Sequence, residues 1–184
     1  MLLVLNSLLL VGSFNERSHS ASAVEHFQAG CFETKSIPPA KAYFTSNRFQ
    51  RVEDERLEEV NVIARSLMPS FDTIAFVFET QDSFFESYIV TNVGPSRFGN
   101  AEDFHCTLWE HGAMQPYAQD RISGFFGQQP FDTWSDNGKL HARWIREDER
   151  GAEVIRASYQ PCSLATPEQF CGNSYSFEQT KAVD

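Results

Sequence analysis

A chain of 184 residues with 41% hydrophobic composition is long enough to build one domain around a single sizeable core. Its 17 phenylalanines and 14% aromatic share exclude an intrinsically disordered chain, which lacks the apolar surface to offset ordering entropy. A formal net charge of -10, from 25 acidic and 15 basic residues, sets the protein against polyanions and excludes nucleic acid as an expected partner.

The chain opens on an apolar run over residues 2–11, about half the length of a bilayer-spanning helix, so no transmembrane segment is expected. Such a run followed by small residues reads as a secretory signal peptide. Both Val11-Gly12-Ser13 and Ala21-Ser22-Ala23 suit the cut. We favour the second, which makes residues 1–23 the signal peptide and 24–184 a single disulfide-containing β-rich domain, secreted or periplasmic. In an oxidising compartment the even set Cys31, Cys106, Cys162 and Cys171 reads as two disulfides. Cys162 with Cys171 closes a short loop, which leaves Cys31 for Cys106. No C-x-x-C pair is present, so structural zinc is not expected.

Residues 24–46 read as irregular, because Pro38-Pro39 imposes extended or turn backbone and residues 42–45 offer at most a short strand. Asn47 and Gln50 then resemble a capping box, and Phe49, Val52, Leu57, Val60, Ile63 and Leu67 recur at helical spacing up to Pro69. This predicts one long amphipathic helix over residues 48–68.

After Pro69 the hydrophobic period falls to two. Residues 72–79 and 84–93 form an expected hairpin that sets Ile74, Phe76 and Phe78 against Ile89, Ser87 and Phe85, with apolar residues on its opposite face as well. A strand over 102–111 places Phe104, Cys106 and Leu108 on one face and His105, Thr107, Trp109 and His111 on the other. Residues 117–126 read as a weaker strand, with Gly124 and Gly127 suggesting a bulge or bend. Residues 139–147 and 152–160 form the clearest hairpin. Pairing Glu147 with Ala152 sets Leu140, Ala142 and Trp144 against Tyr159, Ala157 and Ile155 as core, and Arg143 against Arg156 on the other face. The expected fold class is α+β, mostly antiparallel β: a small β-barrel, or a strongly curved sheet with the long helix.

No nucleophile elbow, metalloprotease helix, Walker loop or dinucleotide fingerprint is present, so no catalytic residue and no cofactor is assigned. His105-Cys106 points its two side chains to opposite faces of a strand, and the oxygen-rich stretch 132–138 lacks the acids of a calcium loop and reads as an Asn-Gly turn. The candidate ligand-binding residues are Arg143, Arg156, His141, His105 and Trp109, gathered on the non-core face. Two arginines directly opposite each other repel unless an anion sits between them or nearby Glu147, Glu153 or Glu110 neutralise them on a plain solvent face, and an indole beside them can cover an apolar ring. These observations point to an exported carrier or sensor holding a small apolar or amphipathic anionic ligand in a β-lined cavity. A secreted inhibitor or immunity-type module for a basic protein partner is the alternative, and an enzyme using a histidine general base is a third reading.

Overall fold

The computed structural model describes residues 22–47, 49–52, 76–79, 85–96, 99–163 and 171–183. Its strands are β1 (Gln50–Val52), β2 (Phe76–Glu79), β3 (Phe85–Ser96), β4 (Gly99–His111), β5 (Asp132–Asp136), β6 (Lys139–Asp148), β7 (Gly151–Gln160) and β8 (Gly172–Ala182). All pair antiparallel in one sheet, in the order β1-β2-β3-β4-β8-β7-β6-β5. The fold is α+β, and the sheet is not closed: β1 and β5 end it without pairing to each other, so the expected barrel is not what the described residues form.

The β6–β7 register is the one the alternation predicts, with Glu147 opposite Ala152, Trp144 opposite Ile155 and Arg143 opposite Arg156. In the β2–β3 hairpin Phe76 faces Ile89 and Phe78 faces Ser87, a shift of two residues from the expected pairing. A two-residue shift leaves every side chain on its expected face, so the alternation alone cannot distinguish the two registers. β5 and β6 are joined by Asn137 and Gly138, with φ of 49° and 80°, the left-handed pair of a two-residue hairpin turn. A substituted side chain at Gly138 has space, but not the backbone conformation.

Among the described residues, three helices and a π-helical turn cover one face. Helix α1 (Ala23–Phe27) continues into the π-helical turn (Gln28–Phe32), followed by α2 (Ile37–Ser46) and, between β4 and β5, α3 (Gln119–Phe126). Phe27, Phe44, Ile122 and Phe126 pack with Phe104, Leu108, Trp144, Ile155 and Phe177 of the sheet into one core. The Cys31–Cys106 disulfide ties the π-helical turn to β4 through a fully buried pair, and Cys162–Cys171 closes the connection from β7 to β8, both as the spacing indicated.

Four expectations need correction. Leu140, expected in the core opposite Tyr159, is 39% exposed, because it stands at the end of β6 beside the Asn137-Gly138 turn. Residues 24–46 are mostly helical, because Pro38 and Pro39 stand in the first turn of α2, where a missing backbone N–H costs no hydrogen bond. Residues 119–126 form α3 instead of a strand: Ile122, Ser123 and Phe126 make one buried helical stripe, and Gly127, with φ 83°, is a helix C-terminal residue, not a strand bend. The helix expected over 48–68 meets strand β1 at Gln50–Val52, residues 53–68 lie outside the described residues, and the longest described helix has 10 residues. No described helix is long and apolar enough to cross a membrane.

Candidate functional site

Because successive residues of a strand point to opposite sides, the strands that supply the core also present a second face, with none of the described helices packed against it. The register assembles that face in rows across β4, β8, β7, β6 and β5. One row runs Thr107, Ser176, Arg156, Arg143 and Asp132, and the next runs Trp109, Ser174, Ser158, His141 and Trp134. Of the five predicted ligand-binding residues, Trp109 and His141 share a row, Arg143 and Arg156 are adjacent in the neighbouring row, and His105 lies one row further along β4, opposite Glu178. All five share one face, but they do not converge on one point.

The two arginines are neutralised by carboxylates. Arg143 makes a two-pronged contact with Asp132, Nε to Oδ1 at 3.1 Å and Nη2 to Oδ2 at 2.7 Å, and its guanidinium lies over the Phe131 ring. Arg156 donates to Glu178, whose Oε1 also lies 3.4 Å from His105 Nδ1. Burial opposes ionisation of Glu178, yet the hydrogen bonds and charges of His105 and Arg156 prevail and hold its carboxyl below the usual carboxylate range. Acids on the outer side of each arginine therefore neutralise the facing cations, and no bound anion is needed for the pair to stand.

Aromatic and hydroxyl groups set the character of the rest. Trp109 is 40% exposed and meets His111 edge-on at 5.7 Å, while Trp134 is 43% exposed and stacks on His141 at 4.9 Å with the rings 8° from parallel. Between these ends lie only Ser174 and Ser158, whose hydroxyls are 2.8 Å apart. At the Trp109 end an open pocket of about 250 Å³ is lined by Trp109, Lys139, Ser158, Gln160, Asn173 and Ser174, among others. Asn173 is buried and donates its amide to Glu110 at 2.8 Å and to the Gln115 carbonyl at 3.1 Å, which fixes the pocket wall to the 112–118 connection.

His105 also lies between an acid and a hydroxyl, since its Nε2 is 2.9 Å from Thr107 Oγ1. That order matches a general base set between an orienting acid and a nucleophile. Two features withhold the rest of such a site. Arg156 competes for the Glu178 carboxylate, and β4 is paired along its length by β3 and β8, so its backbone N–H groups are spent in the ladders and none is aimed at a developing oxyanion. Among the described residues no three His, Cys, Asp or Glu side chains are grouped to hold a metal.

Trp134, Glu178 and the paired serines were not identified from sequence. Trp134 sits on β5, where the Asn137-Gly138 turn with the alternating Thr133-Trp134-Ser135 before it carried the signal for a hairpin strand. Glu178 sits on β8, whose alternation of Tyr175 and Phe177 with Ser174, Ser176 and Glu178 carried the signal for a half-buried strand. Compared with known proteins, the chain matches no family model, no curated protein and no solved structure.

Proposed function

We propose that the protein is an exported, disulfide-stapled binding protein that receives a small ring-bearing ligand on the uncovered sheet face, with Trp109 as its anchor. The observation that carries this reading is the pocket at the end of a row of serines, floored by small hydroxyl side chains and walled by a half-exposed indole. The paired arginines move the expected ligand away from an anion clamped between two cations. Two disulfides support residence in an oxidising compartment. Ser22 and Ala23 belong to the fold: Ala23 is buried, and Arg121 donates to Ser22 Oγ at 3.3 Å and to Glu25 at 2.7 Å. This favours the upstream cut after Ser13 over the one after Ala23, and N-terminal sequencing of the exported protein distinguishes them.

Native mass spectrometry of protein purified from its exported compartment tests the binding reading. A co-purifying small-molecule mass, displaced from the wild type and missing from Trp109→Ala, is the expected result. Ligand-free protein whose tryptophan emission no extract fraction perturbs counts against it.

A second reading, a module for a protein partner, is favoured by the exposed side chains of Phe131, Trp134 and Leu140 around the β5 edge of the sheet. An edge strand with apolar neighbours can pair with another chain. Size-exclusion analysis of Trp134→Lys beside the wild type checks it, a lost complex being the positive outcome.

A further inference from the structure

We propose that the occupant of the uncovered face is a neutral oligosaccharide that lies across the strands from Trp109 to Trp134. This rests on the binding reading above and narrows it to a ligand class.

The register places the two exposed indoles in one row, on β4 and β5, four strand intervals apart. At about 4.8 Å per interval the backbone positions are separated by roughly 19 Å, further than a single sugar ring reaches and within reach of a short chain of them. Between them stand Ser174, Ser158 and His141, the last stacked on Trp134, so the floor is low beside Trp109 and rises at the far end into the paired rings of His141 and Trp134. Sugar rings combine a flat C–H face, which lies against an indole, with a rim of hydroxyls that need donors and acceptors. The row supplies both, with indoles at its ends and Ser158 and Ser174 hydroxyls at its centre, beside Thr107 and Ser176 in the next row.

Charge decides among ligands of similar shape. Arg143 with Asp132, and Arg156 with Glu178, leave this part of the face close to neutral, and a whole-chain charge of -10 repels polyanionic glycans. A cationic chain finds the carboxylates already engaged by arginines. The sheet's twist, of order 20° per strand, also turns the two indoles relative to one another, so a ligand that touches both must follow that twist. A flexible chain of rings can do so; a rigid flat aromatic molecule cannot.

Titration calorimetry and tryptophan emission with cello-, malto- and manno-oligosaccharides of graded length test the proposal, with oligogalacturonates as the anionic comparator. Affinity for at least one neutral series should rise with chain length and then level off. Trp109→Ala and Trp134→Ala should each lower affinity for the longest members by about tenfold, and Trp134→Ala should leave the shortest members unaffected. Binding of oligogalacturonates alone, weakened by salt, overturns the proposal, as does a length dependence that persists in Trp134→Ala. If no neutral series binds while native mass spectrometry still finds a ligand displaced by Trp109→Ala, the ligand class is wrong and the binding reading stands. If neither is seen, both fall.

Discussion

The covered and uncovered faces of the sheet are built from alternate residues of the same strands, yet they are held in different ways. On the covered face Trp144, Ile155 and Phe177 are fully buried, and the polar contact at Trp144, its indole N–H to Ser123 Oγ at 3.1 Å, serves to satisfy a group that packing has buried. On the uncovered face the side chains are joined through charges and hydroxyls, Arg143 to Asp132 and Arg156 to Glu178, and the apolar groups at its ends are left half in solvent. The lesson is a division of labour: burial under the helices carries most of the stability, and the half-exposed ion pairs of the other face each add little.

If that division holds, removing the Cys31–Cys106 bridge should have the largest effect. Its sequence separation is 75 residues, so the Cys31→Ala/Cys106→Ala variant should lose about 4 kcal/mol in urea unfolding, whereas losing Cys162–Cys171, with separation 9, should cost under about 3 kcal/mol. An equal cost for the two would break the claim that the helical layer is what the long bridge secures. Trp144→Ala should cost about 3–5 kcal/mol by the same measurement, from the cavity and an orphaned Ser123 hydroxyl.

Gly30→Ala is a sharper probe of the helical cover. A Cβ there would sit 2.6 Å from Phe44 Cζ, so the variant should lose about 1–3 kcal/mol and recover part of it in the Gly30→Ala/Phe44→Leu background. Additive losses would mean that this contact is not where the strain goes.

Acid acts in two pH windows. Burial pushes His26, on α1 against Tyr43 and Phe49, below its ordinary value of 6.5 against the opposing pull of Glu25, so its neutral form stabilises the fold, and that contribution is lost as pH falls from about 6.5 through the lowered value. Glu178 on the uncovered face and Glu153 at the rim of the covered one, where Lys35 and Arg146 prevail over burial, are held below 4.5. Their contribution is present above that value and is lost as pH falls through their lowered pKa. Urea midpoints measured against pH should therefore show two steps, the upper one missing from His26→Gln and the lower one reduced in Glu178→Gln. The smallest expected effect belongs to Trp134→Ala, within about 0.5 kcal/mol of wild type in stability whatever it does to binding. A loss comparable to that of Trp144→Ala would mean that the uncovered face is structural.

Residue order made the β6–β7 register and both disulfide pairings legible, because a polar loop and strict alternation leave a one-residue slip no apolar face, and four cysteines with one close pair leave few choices. α3 was not legible: Phe125-Phe126 between two glycines fits a strand bend as well as a helix end until the backbone of Gly127 is seen in the left-handed region. Pro38-Pro39 concealed α2 for a related reason, since a proline pair blocks a helix interior but not its first turn. The site was half legible. Which side of the sheet Arg143, Arg156, His141, His105 and Trp109 share followed from parity, but the carboxylates that quiet the arginines come from β5 and β8, two strands outside the expected set.

The position of β8 carries a consequence for how the chain is made. In the described sheet, β1–β4 and β5–β7 are joined by backbone pairing through β8, which enters between β4 and β7. Until residues 172–182 are in place, β4 and β7 each keep a bare edge, so docking of the two halves waits for a strand that follows both of them in the chain. A chain built this way becomes rigid only after β8 arrives to clasp its two halves.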